Sequence, residues 1–311
     1  MKKFINYILA SFCAIILCGC KNHKEGVEQS EELNNLGIVE KIQQTEGSNS
    51  ASKKLNISKR NKNPIKEIFD YKDCFDGING CAVFYSPDEN KYTFYNKDMC
   101  DKQVSPCSTF KIVSTLMGLK NGVISSEDSK MEYNGTQYPI DEWNSDLRLQ
   151  EAFQTSCIWY FRKVIDKVGK DEVQKELDTL VYGNCDISEW EGSSCNPLAE
   201  LNGFWLESSL KISPKEQVDI LYSIFSGESE YSSDDIGILT NIMKIDHGHG
   251  DKFSLYGKTG TGTTGNVWFT GFFTIDESAN YFAVYLKDDD KSNVSGKYAK
   301  EIAQNIIRKY Y

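Results

Sequence analysis

A serine and a lysine three residues apart stand at the start of an apolar segment. Ser108 and Lys111 form a Ser-x-x-Lys pattern, after which apolar side chains recur at helical spacing as far as Gly122. This periodicity predicts a buried helix from about 109 to 121, with Ser108 at its N-terminal edge and Lys111 one turn further on the same face. A hydroxyl beside an amine in apolar surroundings is a nucleophile with its base. A helix cap followed by a solvent-reaching lysine is the ordinary alternative.

Two later stretches carry groups of the same kind. Ser156 lies within residues 147–168, where the spacing of apolar residues predicts a helix, and a serine there ordinarily bonds to its own helix. Lys258, Thr259 and Gly260 end a predicted strand and precede a glycine-rich turn. Such a strand edge offers backbone hydrogen bonds with a lysine beside them to hold an anion. A plain hairpin turn has the same composition.

Metal chemistry and nucleic-acid binding find little support in the sequence. His247 and His249 lie in a glycine loop, where exposure is expected rather than metal binding, and no His-Glu-x-x-His or comparable ligand set exists. No metal is therefore expected. The net charge of -10, with no Lys/Arg run interleaved with aromatic residues, argues against a nucleic-acid partner.

The N-terminal residues have the pattern of an export signal. Lys2 and Lys3 precede an apolar run that ends at Leu17, which is too short to span a bilayer comfortably. The Leu-Cys-Gly-Cys sequence that ends at Cys20 resembles a bacterial lipobox, in which that cysteine is lipidated and becomes the first mature residue. We expect an exported lipoprotein that faces outward from the cell membrane. Secretion with cleavage near Gly19 is the alternative.

The composition divides the chain into three parts. Residues 1–19 are the expected signal peptide, and residues 20–63 are a polar segment expected to act as a disordered tether. The globular domain is expected over residues 64–311. Its seven cysteines are an odd number without Cys-x-x-Cys spacing, so no zinc site and no particular disulfide are predicted.

Within the globular part, the patterns indicate an α+β fold. We expect an antiparallel sheet flanked by terminal helices, together with an all-helical lobe over residues 100–250. Further helices are expected at 171–180, 213–225, 234–243 and 296–310, and strands at 81–85, 92–95, 253–258, 266–275 and 281–287.

The order of the short motifs is more specific than any one of them. In sequence they are Ser108-Thr109-Phe110-Lys111, Ser156-Cys157-Ile158, Tyr182-Gly183-Asn184, Phe204-Trp205-Leu206-Glu207, Lys258-Thr259-Gly260 and Trp268-Phe269-Thr270-Gly271. Over residues 65 to 311 this order resembles the penicillin-recognising serine acyltransferases. It is most similar to class D (oxacillinase-type) β-lactamases, in the lipoprotein form of Gram-positive bacteria. The resemblance implies a β-lactam substrate and antibiotic resistance.

The resemblance also implies a role for each reactive side chain. Ser108 would attack the lactam carbonyl and form an acyl-enzyme. Lys111 would carry a carbamate, formed when CO2 adds to its neutral amine, and would act as general base in both acylation and deacylation. Trp205 would steady the carbamate through its indole N–H. Ser156, assisted by Lys258, would pass a proton to the departing nitrogen.

The substrate would be held along the motif-bearing strand. The resemblance implies an oxyanion hole made by the backbone N–H groups of Ser108 and Thr261, with Ile158, Thr259, Gly260 and Thr261 lining the substrate site. Ile158 stands where valine is more usual in the family, which adds bulk beside the lysine. Tyr182-Gly183-Asn184 is interpreted as scaffolding of the site floor.

The group that would grip the substrate carboxylate is left open. Many relatives use an arginine on the last helix, but a plausible alignment places Ala299 there. Thr259, Lys297 and Lys300 are the alternatives.

Other functions remain possible from the sequence. A β-lactam sensor domain uses nearly the same residues but stays acylated, and such receptors carry transmembrane helices and a metalloprotease segment upstream. A low-molecular-weight transpeptidase or carboxypeptidase would normally show Ser-x-Asn at the second motif, whereas this chain has Ser156-Cys157-Ile158. A non-catalytic adhesion lipoprotein would leave the motif order to coincidence. A monomer or weak dimer is expected.

Overall fold

The computed structural model describes residues 63–246, 251–288 and 294–311. Cys20 with the signal and tether, and the histidines His247 and His249, lie outside the described residues, so export, lipid anchoring and the histidine interpretation stay predictions. Within the described ranges, no helix has both the length and the apolar character needed to cross a bilayer.

The described strands form one large sheet and one small one. The strands are β1 (Ile65–Ile68), β2 (Gly80–Ser86), β3 (Lys91–Tyr95), β4 (Lys130–Met131), β5 (Leu147–Arg148), β6 (Lys244–Ile245), β7 (Ser254–Thr261), β8 (Val267–Ile275) and β9 (Ser278–Leu286). The large sheet has the order β1-β3-β2-β9-β8-β7-β6, and β4 pairs with β5. The hairpins β2–β3, β7–β8 and β8–β9 are antiparallel, as predicted.

Helices supply the other half of the architecture. They are α1 (Lys72–Phe75), α2 (Lys97–Cys100), α3 (Lys111–Lys120), α4 (Leu149–Gln154), α5 (Ile158–Val168), α6 (Lys170–Leu180), α7 (Pro214–Phe225), α8 (Ser233–Met243) and α9 (Gly296–Tyr310). The predicted helices near α6, α7, α8 and α9 are confirmed. At α7 the local cause is visible, because Ser213 Oγ accepts the N–H of Glu216 and the Glu216 carboxylate accepts the N–H of Ser213.

The α+β prediction is confirmed, with two differences in detail. The edge strand β1 pairs with β3 in parallel, whereas the remaining pairings of the large sheet are antiparallel. The lobe between residues 100 and 250 also contains the short β4–β5 pair, so it is not all helical. Two strands of two residues each carry too little alternation for a sequence pattern to reveal them.

The large sheet separates two apolar layers. One face packs against α9 and α1, with Ala299, Ala303 and Ile306 fully buried there. The other face continues into the core of the helical lobe, where α3 is buried over nearly its whole length. Because β7 lies beside the turn that precedes α3, the two layers hold the Lys-Thr-Gly strand against the Ser-x-x-Lys helix.

The Tyr182-Gly183-Asn184 segment is a packed support for this core. Tyr182 is fully buried and its ring lies edge-on to Phe110 at 5.7 Å. Asn184 accepts the backbone N–H of Lys211 at 2.9 Å, and Gly183 has a φ of 56°. These contacts agree with the scaffolding interpretation.

A methyl group at Gly183 should be costly, because a Cβ there would lie 1.9 Å from the carbonyl oxygen of Lys211. We expect Gly183→Ala to lower the free energy of unfolding by at least about 3 kcal/mol, through overpacking added to a left-handed φ. Gly122→Ala is the control, since its φ is 66° but nothing lies within 4 Å of its Cβ position. It should cost about 1 kcal/mol. Equal losses in urea denaturation would contradict the close approach at Gly183.

Candidate active site

Ser108 lies in a tight turn that directly precedes the buried helix. The predicted helix at 109–121 begins as a 3₁₀ helix over Cys107–Phe110 and continues as α3 from Lys111. Cys107 has a φ of 50° and donates its N–H to the carbonyl of Trp205 at 3.0 Å. Ser108 is buried to 8% residual exposure, so its hydroxyl is held at a defined place and has little contact with bulk water.

Lys111 is a fully buried amine beside that hydroxyl. Its Nζ donates to Ser108 Oγ at 2.9 Å and lies 5.4 Å from the centre of the Phe161 ring. Burial disfavours the ammonium form and lowers the pKa of Lys111 to about 8. The two groups are therefore within hydrogen-bond distance, as a nucleophile and its base must be, and a neutral amine there can accept the proton of Ser108.

Ser156 occupies a break between two helices, and the prediction of one continuous helix over residues 147–168 is wrong at this point. Helix α4 ends before Thr155, α5 begins at Ile158, and Ser156 itself has a φ of 56°. The N–H of Cys157 bonds to the carbonyl of Ala152 at 2.8 Å, which closes the turn. The ordinary interpretation, a serine bonded to its own helix, is also wrong, because the hydroxyl is bonded to Lys258.

Lys258 brings a second buried amine to the same place. Its Nζ donates to Ser156 Oγ and to the carbonyl of Thr259 at 3.0 Å, and it lies 5.6 Å from the centre of the Phe153 ring. Desolvation, and then the charge of Lys111, hold the pKa of Lys258 well below its usual range. Two amines in one apolar site disfavour each other's protonation, so the charge on Lys111 adds to burial in favouring the neutral form of Lys258.

The strand segment 259–261 lies alongside the nucleophile turn. The predicted strand that ended at Lys258 continues through Thr261 in the structure. A Cβ placed on Gly260 would lie 3.3 Å from the backbone nitrogen of Ser108 and 3.1 Å from the carbonyl of Pro106. The strand backbone immediately before Thr261 is therefore adjacent to the backbone of Ser108, the other residue of the predicted oxyanion hole.

Trp205 is stacked against the helix that carries the base. It is buried to 1% residual exposure, and its ring lies 5.6 Å from that of Phe110 with an interplanar angle of 28°. Its indole Nε1 has no hydrogen-bond partner among the described residues. An unpartnered buried donor costs free energy, and it would donate to a carboxyl-type partner carried by Lys111, the residue that follows Phe110. The residues present therefore fit the expected carbamate.

Some of the predicted substrate-binding residues lie beside the site, whereas Ala299 lies behind the sheet. Ile158 opens α5 directly after the Ser156 turn, and the backbone N–H of Gly296 on α9 lies 3.3 Å from Thr261 Oγ1. Ala299, by contrast, is fully buried in the layer behind the sheet, so it does not present a group to the site. The exposed Lys297 lies 3.8 Å from Glu301. The carboxylate-binding residue stays an open prediction.

Several residues that shape the site were not predicted from the sequence. Phe153 and Phe161 lie over the two amines, and their positions before and after Ser156 could have indicated this. Glu207 belongs to the Phe204-Trp205-Leu206-Glu207 motif, but the motif predicts no role for it, although its carboxylate is bonded to the turn after β7. Within the described residues, no group of three or more His, Cys, Asp or Glu side chains is arranged to hold a metal ion.

Comparisons with known proteins agree with this geometry. The profile of the penicillin binding protein transpeptidase domain matches residues 80–308. A solved class D β-lactamase from Bacillus subtilis superposes with a TM-score of 0.69 at 31% identity, over 78% of this chain and 95% of that one.

Curated relatives divide into two kinds. The probable β-lactamase YbxI of Bacillus subtilis is 31% identical over 85% of this chain and 89% of its own length. The regulatory protein BlaR1 of Bacillus licheniformis is 33% identical over 78% of this chain, but the match spans 39% of BlaR1. The chain is thus similar both to a probable hydrolase and to part of a regulatory protein.

The neutral amine of Lys111 has a consequence for stability. With a folded pKa of about 8 and an unfolded value near 10.4, the folded protein releases a proton first as the pH rises, so stability increases between these values. Relative to Lys111→Met, the wild type should gain about 2 kcal/mol in the free energy of unfolding between pH 7 and pH 10. Urea denaturation in CO2-free buffer measures the difference. Parallel pH profiles would contradict the burial of an unpaired amine.

Proposed function

The chain belongs to the penicillin binding protein transpeptidase-domain family, among its class D serine β-lactamase-like members. We therefore propose that it hydrolyses β-lactam antibiotics through an acyl-enzyme on Ser108. The β-lactam-recognising, serine-acylating fold is common to the family. The observation that carries the proposal is the 2.9 Å hydrogen bond between Lys111 Nζ and Ser108 Oγ in a buried, apolar setting. A host that makes the protein would resist β-lactams.

Acylation follows from this arrangement. Ser108 Oγ attacks the lactam carbonyl carbon while its proton passes to the base at Lys111, and the C–N bond of the ring breaks after a tetrahedral intermediate. The backbone N–H groups of Ser108 and Thr261 would hold the oxyanion, and loss of one such donor typically costs about 2.7–4 kcal/mol of transition-state stabilisation. Ser156 would return a proton to the leaving nitrogen, and its hydrogen bond from Lys258 supports this role.

We further propose that Lys111 reacts with CO2. A pKa of about 8 leaves roughly a tenth of the amine neutral at pH 7, and the neutral amine is the form that adds CO2. Trp205 Nε1 would hold the modified side chain. When present, the carbamate supplies a general base that is ionised at neutral pH and extends beyond the amine nitrogen, for Ser108 and for the water that releases the product.

A sensor is the second candidate, and the similarity to BlaR1 favours it. Acylation of Ser108 is common to both functions, so the nucleophile–base geometry supports each. They differ in whether water attacks the acyl-enzyme, which requires the base to be available a second time.

Turnover separates the two candidates. The full-length protein incubated with a chromogenic cephalosporin should release many equivalents of product per enzyme, whereas Ser108→Ala should release none, because the acyl-enzyme cannot form. Absorbance against enzyme concentration gives the count. A burst of one equivalent followed by no further product would replace the hydrolase proposal with the sensor.

The proposed CO2 modification makes a separate prediction. Activity should fall in acid, where the amine is protonated and the carbamate is lost, and added bicarbonate should restore it. Trp205→Phe keeps the aromatic stacking on Phe110 but removes the indole N–H, so it should lower the deacylation rate at least 10-fold and require more bicarbonate. Steady-state kinetics with a bicarbonate titration measure both effects. Indifference of wild type and variant to bicarbonate would contradict the modification.

A further inference from the structure

Several hydrogen-bond donors of the turn that joins β7 to β8 bond to one carboxylate, that of Glu207. Glu207 accepts the backbone N–H of Thr264 at 2.9 Å on Oε1 and 3.1 Å on Oε2, together with the hydroxyls of Thr263 and Thr264. Asn266 Nδ2 adds a longer contact of 3.4 Å. All these donors follow directly after Thr261, so the carboxylate holds the segment that leaves the Lys-Thr-Gly strand.

The backbone around Glu207 is bound to the other half of the site. The N–H of Glu207 donates to Ser105 Oγ at 2.7 Å, and that hydroxyl donates to the carbonyl of Trp205 at 2.9 Å. The same carbonyl accepts the N–H of Cys107 at 3.0 Å. Residues 205–207 are thereby hydrogen-bonded to Ser105 and Cys107, in the segment that leads to Ser108. Glu207 connects this segment to the β7–β8 turn, which is distant in sequence.

The geometry at Glu207 is tight and unusual. Its φ is 52°, a left-handed conformation that non-glycine residues rarely adopt and that persists where surrounding contacts impose it. A Cβ on Gly262 would lie 2.1 Å from Glu207 Oε1 and 3.1 Å from Cys107 Sγ, so the turn packs directly onto the carboxylate and onto the residue before Ser108. Although burial acts to raise the pKa of Glu207, the donors from Thr263 and Thr264 outweigh it and the pKa is lowered.

We propose that Glu207 is a positioning residue that holds the Thr261 end of β7 against the Ser108 turn, so that two backbone N–H groups point at one oxygen. The proposal rests on the proposed acylation of Ser108. An oxyanion forms both when the serine attacks and when water attacks, so a misplaced Thr261 N–H slows acylation and deacylation together. A purely structural role would instead lower stability and leave the rates of the folded enzyme unchanged.

The matched control lies on the other side of the same turn. Tyr285 donates its hydroxyl to Asn266 Oδ1 at 2.6 Å, which ties the turn to β9 but not to the nucleophile segment. Tyr285→Phe therefore removes one hydrogen bond from the turn and leaves the Thr263 and Thr264 donors to Glu207 in place; it bears only on Asn266, which makes the longest contact to that carboxylate. Glu207→Asp is the conservative variant, because it keeps the charge on a side chain one methylene shorter.

The experiment compares Glu207→Gln, Glu207→Asp and Tyr285→Phe with wild type in the full-length protein. Stopped-flow acylation and steady-state deacylation are measured with a chromogenic cephalosporin, alongside urea denaturation. We expect Glu207→Gln to slow both steps by about 10- to 100-fold, less than complete loss of an oxyanion donor, with Glu207→Asp intermediate and Tyr285→Phe within about twofold of wild type. Rates within twofold of wild type for Glu207→Gln, or losses that equal the unfolded fraction, would overturn the positioning role.

A second measurement separates this inference from the proposed function. Hydrogen exchange of the Thr264 amide should become at least 10-fold faster in Glu207→Gln than in wild type, because its acceptor is weakened. Unchanged protection would overturn the inference whatever the enzyme does. If the wild type forms no covalent adduct on Ser108 by mass spectrometry, the proposed function fails while the exchange of Thr264 still decides the connection. If the wild type is acylated once and does not turn over, the acylation rates of the Glu207 variants can still be compared with that of the wild type.

Discussion

The chemistry of the site depends on an amine buried without a carboxylate. None of the described ion pairs includes Lys111, and its Nζ has Ser108 Oγ and an aromatic ring for neighbours. In water such an amine would be charged and useless as a base, but desolvation gives it a neutral form near neutral pH. The apolar packing around α3 therefore sets the protonation of this amine, because looser packing that admitted water would restore the ammonium.

The reactive groups stand on strained connections between regular elements. Cys107, Ser156 and Glu207 all have φ values near 50°, each directly at or beside a residue of the site. Left-handed conformations at non-glycine residues cost free energy, which is about 1–3 kcal/mol for each such residue. The long sheet and the buried helices, whose packing stabilises the fold, hold these turns in place. The side chains of Ser108 and Ser156 are thus aimed by the tertiary structure and not by their own local preferences.

The difference between regular elements and turns held by tertiary contacts explains which parts of the structure could be predicted from the sequence. The hairpins and the helices α6 to α9 have clear periodicity or caps, so local patterns predicted them, and the motif order predicted the members of the site. The break at Ser156 was missed because apolar residues continue at helical spacing on both sides of it. What separates α4 from α5 includes a bond from Lys258, 102 residues away in the chain, which no local pattern carries. The connection through Glu207 was missed for the same reason.

The same site can serve hydrolysis or sensing because both begin with one transfer of a proton from Ser108. Hydrolysis adds a demand that acylation does not make, since a water molecule must reach a base that the apolar surroundings of Phe153 and Phe161 keep dry. Exclusion of water lowers the pKa of Lys111, which acylation requires, but it also restricts the access of the water that deacylation requires. The two requirements therefore oppose each other. The carbamate that we propose on Lys111 would ease the conflict, because its oxygens extend beyond the buried amine nitrogen. The indole N–H of Trp205, which stacks on Phe110 and has no partner among the described residues, is the observation behind our proposal of such an oxygen-bearing group.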